Sequence, residues 1–292
     1  MTADALLDPA FVRELEALRR RMLVRARSAA AGDHTAKRRG SSAEFLEHRA
    51  YAPGDDLRRI DWLAFARTGE PVFKLFRAEE DVIVRLVVDA SASLDAGSPS
   101  KLDVARRIAA CVGYMALGAS ERAQVVAASD GDARVREPAR GRAALPKLLR
   151  DLAAIRSSGM TDLATSIDGV LLRSERPGTL VILSDFLDAG PFDGAVARAA
   201  SAGHDVALVQ VLAPEEVAPV LDGDLALEDA ETGAVVEVTV DGRAIDAYVA
   251  RLNALLLALR GLAKRHRASY VRTLTNEPIL GAVRRFVARA VD

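Results

Sequence analysis

Val82-Ile83-Val84-Arg85-Leu86-Val87-Val88, followed at once by Asp89-Ala90-Ser91-Ala92-Ser93, decides the fold. A nearly unbroken β-branched and aliphatic run is what a strand needs when it is buried on both faces of a parallel sheet. The polar segment after it marks the strand's carboxyl end. Ser100 then reads as a helix N-cap with Asp103 three residues on, and Val104, Ile108, Cys111, Val112 and Met115 recur at helical spacing to about Leu117. The same texture returns downstream. Residues 179–183 (TLVIL) and 205–212 read as further buried strands, with a helix over about 195–202 between them. Residues 123–128 and 133–136 read as a strand pair joined through Asp130-Gly131-Asp132, and 143–154 and 162–172 as helices. Strands alternating with helices of this length predict an α/β fold, a doubly wound, mostly parallel sheet flanked by helices.

Outward from that centre the texture changes. Residues 9–30 predict a helix with Phe11, Leu15, Leu18, Met22 and Leu23 on one side and Arg19, Arg20, Arg21, Arg25 and Arg27 around the rest, read as a solvated basic face. An Ala/Gly/Lys/Arg linker follows. Residues 222–241, with Glu231-Thr232-Gly233 between two runs of β character, predict an inserted β-hairpin. A helix over 245–265, a strand over 270–274 and a helix over 280–291 close the chain. The expected organisation is an N-terminal helical arm and linker over 1–39, a segment over 40–80 packing on the main domain, and the main domain over 81–292.

The 292 residues carry a formal net charge of −1, half are hydrophobic and only 4% are aromatic, so the core must be aliphatic and no global field draws nucleic acid. Cys111 is the single cysteine, in an apolar stretch that suits a buried thiol in a reducing compartment. The N-terminus lacks the basic-then-apolar order of a signal peptide, and the longest nearly apolar run, 108–119, is shorter than the roughly 20 residues a membrane span requires. These features predict a soluble, cytoplasmic chain.

In an open α/β sheet the functional crevice lies beyond the carboxyl ends of the strands. Asp89, Ser91 and Ser93 stand at one such end, Asp185 at another, and Thr161 just before a helix between them. Carboxylates and hydroxyls without His or Cys suit a hard divalent cation, Mg²⁺ or another such as Mn²⁺. Two carboxylates leave such an ion able to take one more anionic oxygen, which a partner protein's carboxylate could supply.

Asp-x-Ser-x-Ser, a downstream Thr and an Asp closing a strand are similar to the metal-ion-dependent adhesion site of von Willebrand factor A domains. That resemblance implies a von Willebrand factor A-like (Rossmann-type) fold, hydroxyl ligation by Ser91, Ser93 and Thr161, and Asp89 and Asp185 nearby, often through water. A second pattern precedes it: Glu44-Phe45-x-Glu47-x-Arg49-x-Tyr51-x-Pro53-Gly54-Asp55-Asp56-x-Arg58-x-Ile60-Asp61-Trp62, then Ala66-Arg67, Lys74 and Glu79-Glu80. It resembles domain-of-unknown-function family 58, whose members carry a von Willebrand A-like region and are associated with MoxR-type AAA+ ATPases. The resemblance implies a protein partner of that kind or its client. Read physically, Pro53-Gly54-Asp55-Asp56 is a turn, and the flanking charges are numerous enough to pair with one another, either as an ion-pair network pinning the segment onto the main domain with Trp62 and Tyr51 packed beneath or as a docking surface for a partner.

Catalytic readings fare worse. Asp89 lacks the second carboxylate two residues on that a phosphoaspartyl enzyme uses as its acid. Ser98-Pro99-Ser100-Lys101 matches Ser-x-x-Lys without its companion elements. No phosphate-binding Gly-rich loop or His-Glu-x-x-His is present, and His34, His48, His204 and His266 are scattered. The expectation is a non-enzymatic, metal-dependent protein-interaction module acting as an adaptor with a AAA+ ATPase. The alternatives are a metal-independent scaffold and, behind it, a metal-dependent hydrolase or phosphotransferase.

Overall fold

The computed structural model describes residues 2–30, 44–52, 60–77, 82–129, 133–174, 176–187 and 192–289. In chain order its helices are α1 (Ala3–Leu6), α2 (Pro9–Ala30), α3 (Trp62–Thr68), α4 (Lys101–Gly118), α5 (Leu145–Ala153), α6 (Leu163–Leu172), α7 (Phe192–Ser201), α8 (Pro214–Val217), α9 (Gly242–Arg265) and α10 (Ile279–Arg289). Its strands are β1 (Glu44–Ala50), β2 (Val72–Arg77), β3 (Ile83–Asp89), β4 (Arg122–Ala128), β5 (Arg134–Val135), β6 (Ala139–Arg140), β7 (Thr179–Ser184), β8 (Asp205–Leu212), β9 (Gly223–Glu228), β10 (Val235–Val240) and β11 (Ser269–Leu274). Two compact units emerge, Met1–Leu23 with Val82–Asp292, and Val24–Asp81. This grouping cuts α2 after Leu23.

The larger unit is the expected doubly wound sheet. Its strands run β11-β8-β7-β3-β4-β5, with β6 also on β4; β11, β8, β7, β3 and β4 are mutually parallel, and β5 and β6 are antiparallel edge pieces. Alternation along each strand sends side chains to opposite layers. Val84, Leu86 and Val88 of β3, Val181 and Leu183 of β7 and Val209 and Val211 of β8 enter a core covered by α1, α2, α4, α5 and α10. Val87, Leu180, Ile182 and Leu208 enter the opposite core, covered by α6, α7 and α9. The predicted apolar face of α4 is that contact: Val104, Ile108 and Cys111 are fully buried or nearly so, and Ser100 caps the helix by accepting from Asp103 N.

From β3 the chain moves outward to β4 on one side and returns to β7 on the other. The strand order therefore reverses between β3 and β7, and a crevice opens beyond their carboxyl ends. The inserted hairpin forms as predicted: β9 and β10 pair antiparallel from Val235↔Glu228 to Val240↔Gly223, as a separate two-stranded sheet.

Leu15 of α2 is fully buried and Phe11 and Leu18 pack on the same core, as their spacing predicts. Arg19 donates to the Gly118 carbonyl at 3.0 Å and pairs with Glu16, so this arginine is a structural tie rather than a solvated charge. The side chains of Arg20, Arg21, Arg25, Arg27, Met22 and Leu23 lie outside the described ones.

In the smaller unit β1 and β2 form an antiparallel pair with a bulge between Phe45 and Glu47. Asp61 caps α3, its carboxylate accepting from Leu63 N and Ala64 N at 3.1 Å each. The expectation that Trp62 packs beneath this segment fails. Capping places Trp62 at the helix's first residue, 59% exposed and edge-on to the exposed Phe65, while the small buried positions go to Ile60 and Asp61. Tyr51 is half-buried. The turn Pro53-Gly54-Asp55-Asp56, Arg58, Glu79-Glu80 and the Asp130-Gly131-Asp132 connection lie outside the described residues.

Candidate metal centre

The sequence-predicted residues converge at the crevice between β3 and β7. Asp89 closes β3; Ser91 and Ser93 lie in the turn and 3-10 helix (Ala92–Asp95) that follow; Asp185 comes directly after β7; Thr161 stands just ahead of α6. The loop carrying Thr161 is fastened to the serine loop by backbone bonds, Ser158 N to Ala90 O at 2.8 Å and Ala92 N to Gly159 O at 2.9 Å. Gly159 makes the turn at φ +58°, a conformation that costs a residue with a Cβ. The Thr161 hydroxyl reaches the Ala128 carbonyl at 3.3 Å and the Asp89 carboxylate. Beside it, Asp162 caps α6 by accepting from Thr165 N at 3.0 Å.

Asp89 is 4% exposed. One of its oxygens accepts from Ser91 N at 2.9 Å and the other from Ser184 Oγ at 2.6 Å. Burial pushes its carboxyl above the ordinary range, the Ser184 bond opposes that, and the neighbouring charge of Asp185 adds to it. Ser91 Oγ and Ser93 Oγ stand 3.0 Å apart, and Ser93 Oγ is 3.4 Å from Asp185 Oδ2. Oxygens on adjacent corners of a Mg²⁺ octahedron with bonds near 2.1 Å are about 3 Å apart, so the hydroxyl spacing fits a small hard cation. Among the described residues no three His, Cys, Asp or Glu side chains gather as a metal cluster, and the fit rests on hydroxyls together with carboxylates.

Three further residues join the site, Lys101, which the sequence offered only through a Ser-x-x-Lys match of another kind, and Glu216 and Glu231, which carry no motif signal. Lys101, the first residue of α4, is 1% exposed and donates to Asp185 Oδ2 at 2.7 Å and Glu216 Oε1 at 2.5 Å. Burial by itself would lower its pKa, but attraction to Asp185 and Glu216 prevails and holds the ammonium above its usual range. Glu216 is fixed by its other oxygen, which accepts from Ala213 N at 2.7 Å. Glu231, at the hairpin tip, lines the same cavity of about 330 Å³. Its carboxyl is raised by burial, while a hydrogen bond from Ser93 counteracts that, and the charges of Asp89 and Asp185 reinforce it. Counting these with Asp229, five carboxylates and one ammonium face the cavity, an imbalance that favours a further cation.

Behind the rim a buried polar chain holds Asp185 in register. Gln210 Nε2 donates to the Asp185 carbonyl at 2.7 Å, and the Tyr270 hydroxyl donates to Gln210 Oε1 at 2.5 Å. Phe186 at φ +54° turns the chain away and stacks on Phe192 with ring centroids 5.4 Å apart.

The chain matches the family model "Protein of unknown function DUF58" over residues 47–254. It is 37% identical over 250 residues to an uncharacterized protein of Mycobacterium tuberculosis, covering 83% of this chain and 74% of that one. Among solved structures it is similar to a conserved hypothetical protein, BatB, of Bacteroides thetaiotaomicron, with 17% identity, a TM-score of 0.44, and coverage of 72% of this chain and 100% of that one. It is also similar to the VWA domain of SpRpn10, with 9% identity, a TM-score of 0.37, and coverage of 69% and 93%. Among the described residues no helix is long and apolar enough to cross a membrane.

Proposed function

The chain belongs to the DUF58 family of proteins of unknown function, and on that footing we propose that it is a metal-dependent protein-interaction module. The observation that carries the reading is the pair of serine hydroxyls 3.0 Å apart between Asp89 and Asp185, at the place where the sheet's strand order reverses. Ser91, Ser93 and Thr161 would hold Mg²⁺ or Mn²⁺, with Asp89 and Asp185 supplying charge directly or through water. The bound ion would supply a site for one further anionic oxygen, the carboxylate of a partner protein. Ser93 and Thr161 are half-buried at the rim of the cavity. The partner we propose is a MoxR-type AAA+ ATPase or its client, with this chain as an adaptor in assembling or activating another complex.

One observation favours a second reading. The Lys101 ammonium already rests on Asp185, as a resident cation would, and a metal-independent binding scaffold could use it in place of an ion.

Two measurements test the proposal together. Mn²⁺ titration of the wild-type protein and of Ser93→Ala, followed by calorimetry, is expected to show one site that weakens sharply in the variant. Capture of a purified MoxR-type ATPase is expected with Mg²⁺ and to vanish with chelator. Capture that ignores chelator would replace the metal reading with the scaffold.

A further inference from the structure

The tip of the β9–β10 hairpin brings a carboxylate of this chain into the cavity that the proposed partner's carboxylate would enter. Its tip residues Asp229, Ala230 and Glu231 line the cavity with Asp89, Ser91, Ser93, Thr161 and Asp185. The two tip carboxylates have different tasks. Asp229 is spent on the turn, accepting from Glu231 N at 2.8 Å and Thr232 N at 2.9 Å. Glu231 is half-buried and lines the cavity together with Ser93, within the field of Asp89 and Asp185. The charges of Asp89 and Asp185 act unfavourably on Glu231, and a divalent ion held by the hydroxyls would turn that repulsion into attraction.

The hairpin's attachment suits a removable contact. Val240 at its base is 7% exposed and packs toward α9, whereas Asp229 and Ala230 at the tip are exposed. The tip is thus the solvent-facing end of the hairpin, and its base is the anchored one. The approach begins at Gly223, whose φ of +85° opens a sharp entry into β9 with no atom within 4 Å of a would-be Cβ.

We infer that Glu231 is an internal carboxylate ligand of the proposed cation, which closes the site until an acidic side chain of the partner displaces the hairpin tip. The inference rests on the metal reading above. It predicts effects of opposite sign: losing Glu231 weakens the metal and strengthens an external carboxylate.

The test uses the full chain, with Mn²⁺ as the metal probe and acetate as the carboxylate probe, and reads affinity and inner-sphere hydration from water proton relaxation. For Glu231→Gln the expected results are Mn²⁺ binding weakened on the order of 10-fold, an added bound water, and loss of that water on adding acetate. Wild type is expected to keep its hydration in acetate. Melting curves check folding, and Glu231→Asp, which retains the charge on a shorter arm, is expected to gain the water as well. Identical hydration in wild type and Glu231→Gln would overturn the internal ligand and leave the metal reading standing. Absence of Mn²⁺ binding in every variant, wild type included, would overturn both.

Discussion

Lys101 Nζ lies 2.7 Å from Asp185 Oδ2, and the two side chains are 1% and 5% exposed. Two opposite charges removed from water this fully depend on one another, because without the ammonium the Asp185 carboxylate would be buried without its cation. Lys101→Met would keep the length and apolar bulk of the stem and delete the charge. The expected loss is roughly 3–5 kcal/mol of unfolding free energy, measured by urea denaturation. Added Mg²⁺ is expected to recover part of it, since the stranded carboxylates would then have a cation. A variant as stable as wild type without Mg²⁺ would show that this pair is not needed for folding.

Ser184 serves two neighbours, donating to Asp89 Oδ2 at 2.6 Å and accepting from Phe186 N at 3.0 Å. Ser184→Ala leaves a buried carboxylate one donor short and a buried backbone N–H without its acceptor. The expected cost is about 1–3 kcal/mol, with proposed Mn²⁺ binding weakened alongside it. Unchanged stability would mean that water replaces the hydroxyl.

Gly178 precedes β7 where it enters beside β3. A Cβ there would stand 2.4 Å from the Ile83 carbonyl oxygen and 2.8 Å from Ile83 Cγ2. The nearer atom belongs to a strand backbone and cannot swing aside. Gly178→Ala is therefore expected to destabilise the protein by about 1–3 kcal/mol, visible as a lowered melting temperature.

His204 is 6% exposed, and its Nδ1 accepts from Gly178 N at 3.3 Å. Burial, and then the positive charge of Arg85, lowers its pKa. As pH falls through the ordinary histidine value of about 6.5, the unfolded chain takes up this proton before the folded one does. Its contribution to stability is thus complete above that pH and is lost below it. Urea midpoints are expected to fall between about pH 7 and pH 5.5, and to fall less in His204→Gln.

Cys111 is fully buried in α4, and burial pushes its thiol far above the ordinary range. A thiol that cannot ionise and cannot be reached is inert. Ellman's reagent is expected to label it only through opening of the core, at a rate that rises with denaturant. Immediate labelling of the native protein would contradict the packing of α4.

Much of this was legible in one dimension. The runs at Val82–Val88, Thr179–Leu183 and Asp205–Leu212 are buried strands because an apolar run covered on both faces has few other structures open to it. That Asp89, Ser91, Ser93, Thr161 and Asp185 would meet at one rim was readable because strand ends are local features and a doubly wound sheet brings its carboxyl ends together. Other features were not readable. The β1 stretch Glu44-Phe45-Leu46-Glu47-His48-Arg49-Ala50 has no clean alternation, and its pairing with β2 sets its conformation. Trp62 looked like a core residue by type, but the Asp61 cap turns it outward.

Lys101 and Glu231 mark the limit most sharply. By sequence alone one is a polar residue at a helix start and the other a charged turn residue, both at home in solvent. Only the tertiary structure sets the Lys101 ammonium between Asp185 and Glu216 and carries the hairpin tip across to Ser93. The order of strands and helices follows from local hydrophobic pattern. Which charges must share a buried space depends on distances between segments far apart in the chain, and those exist only once the sheet has closed its crevice.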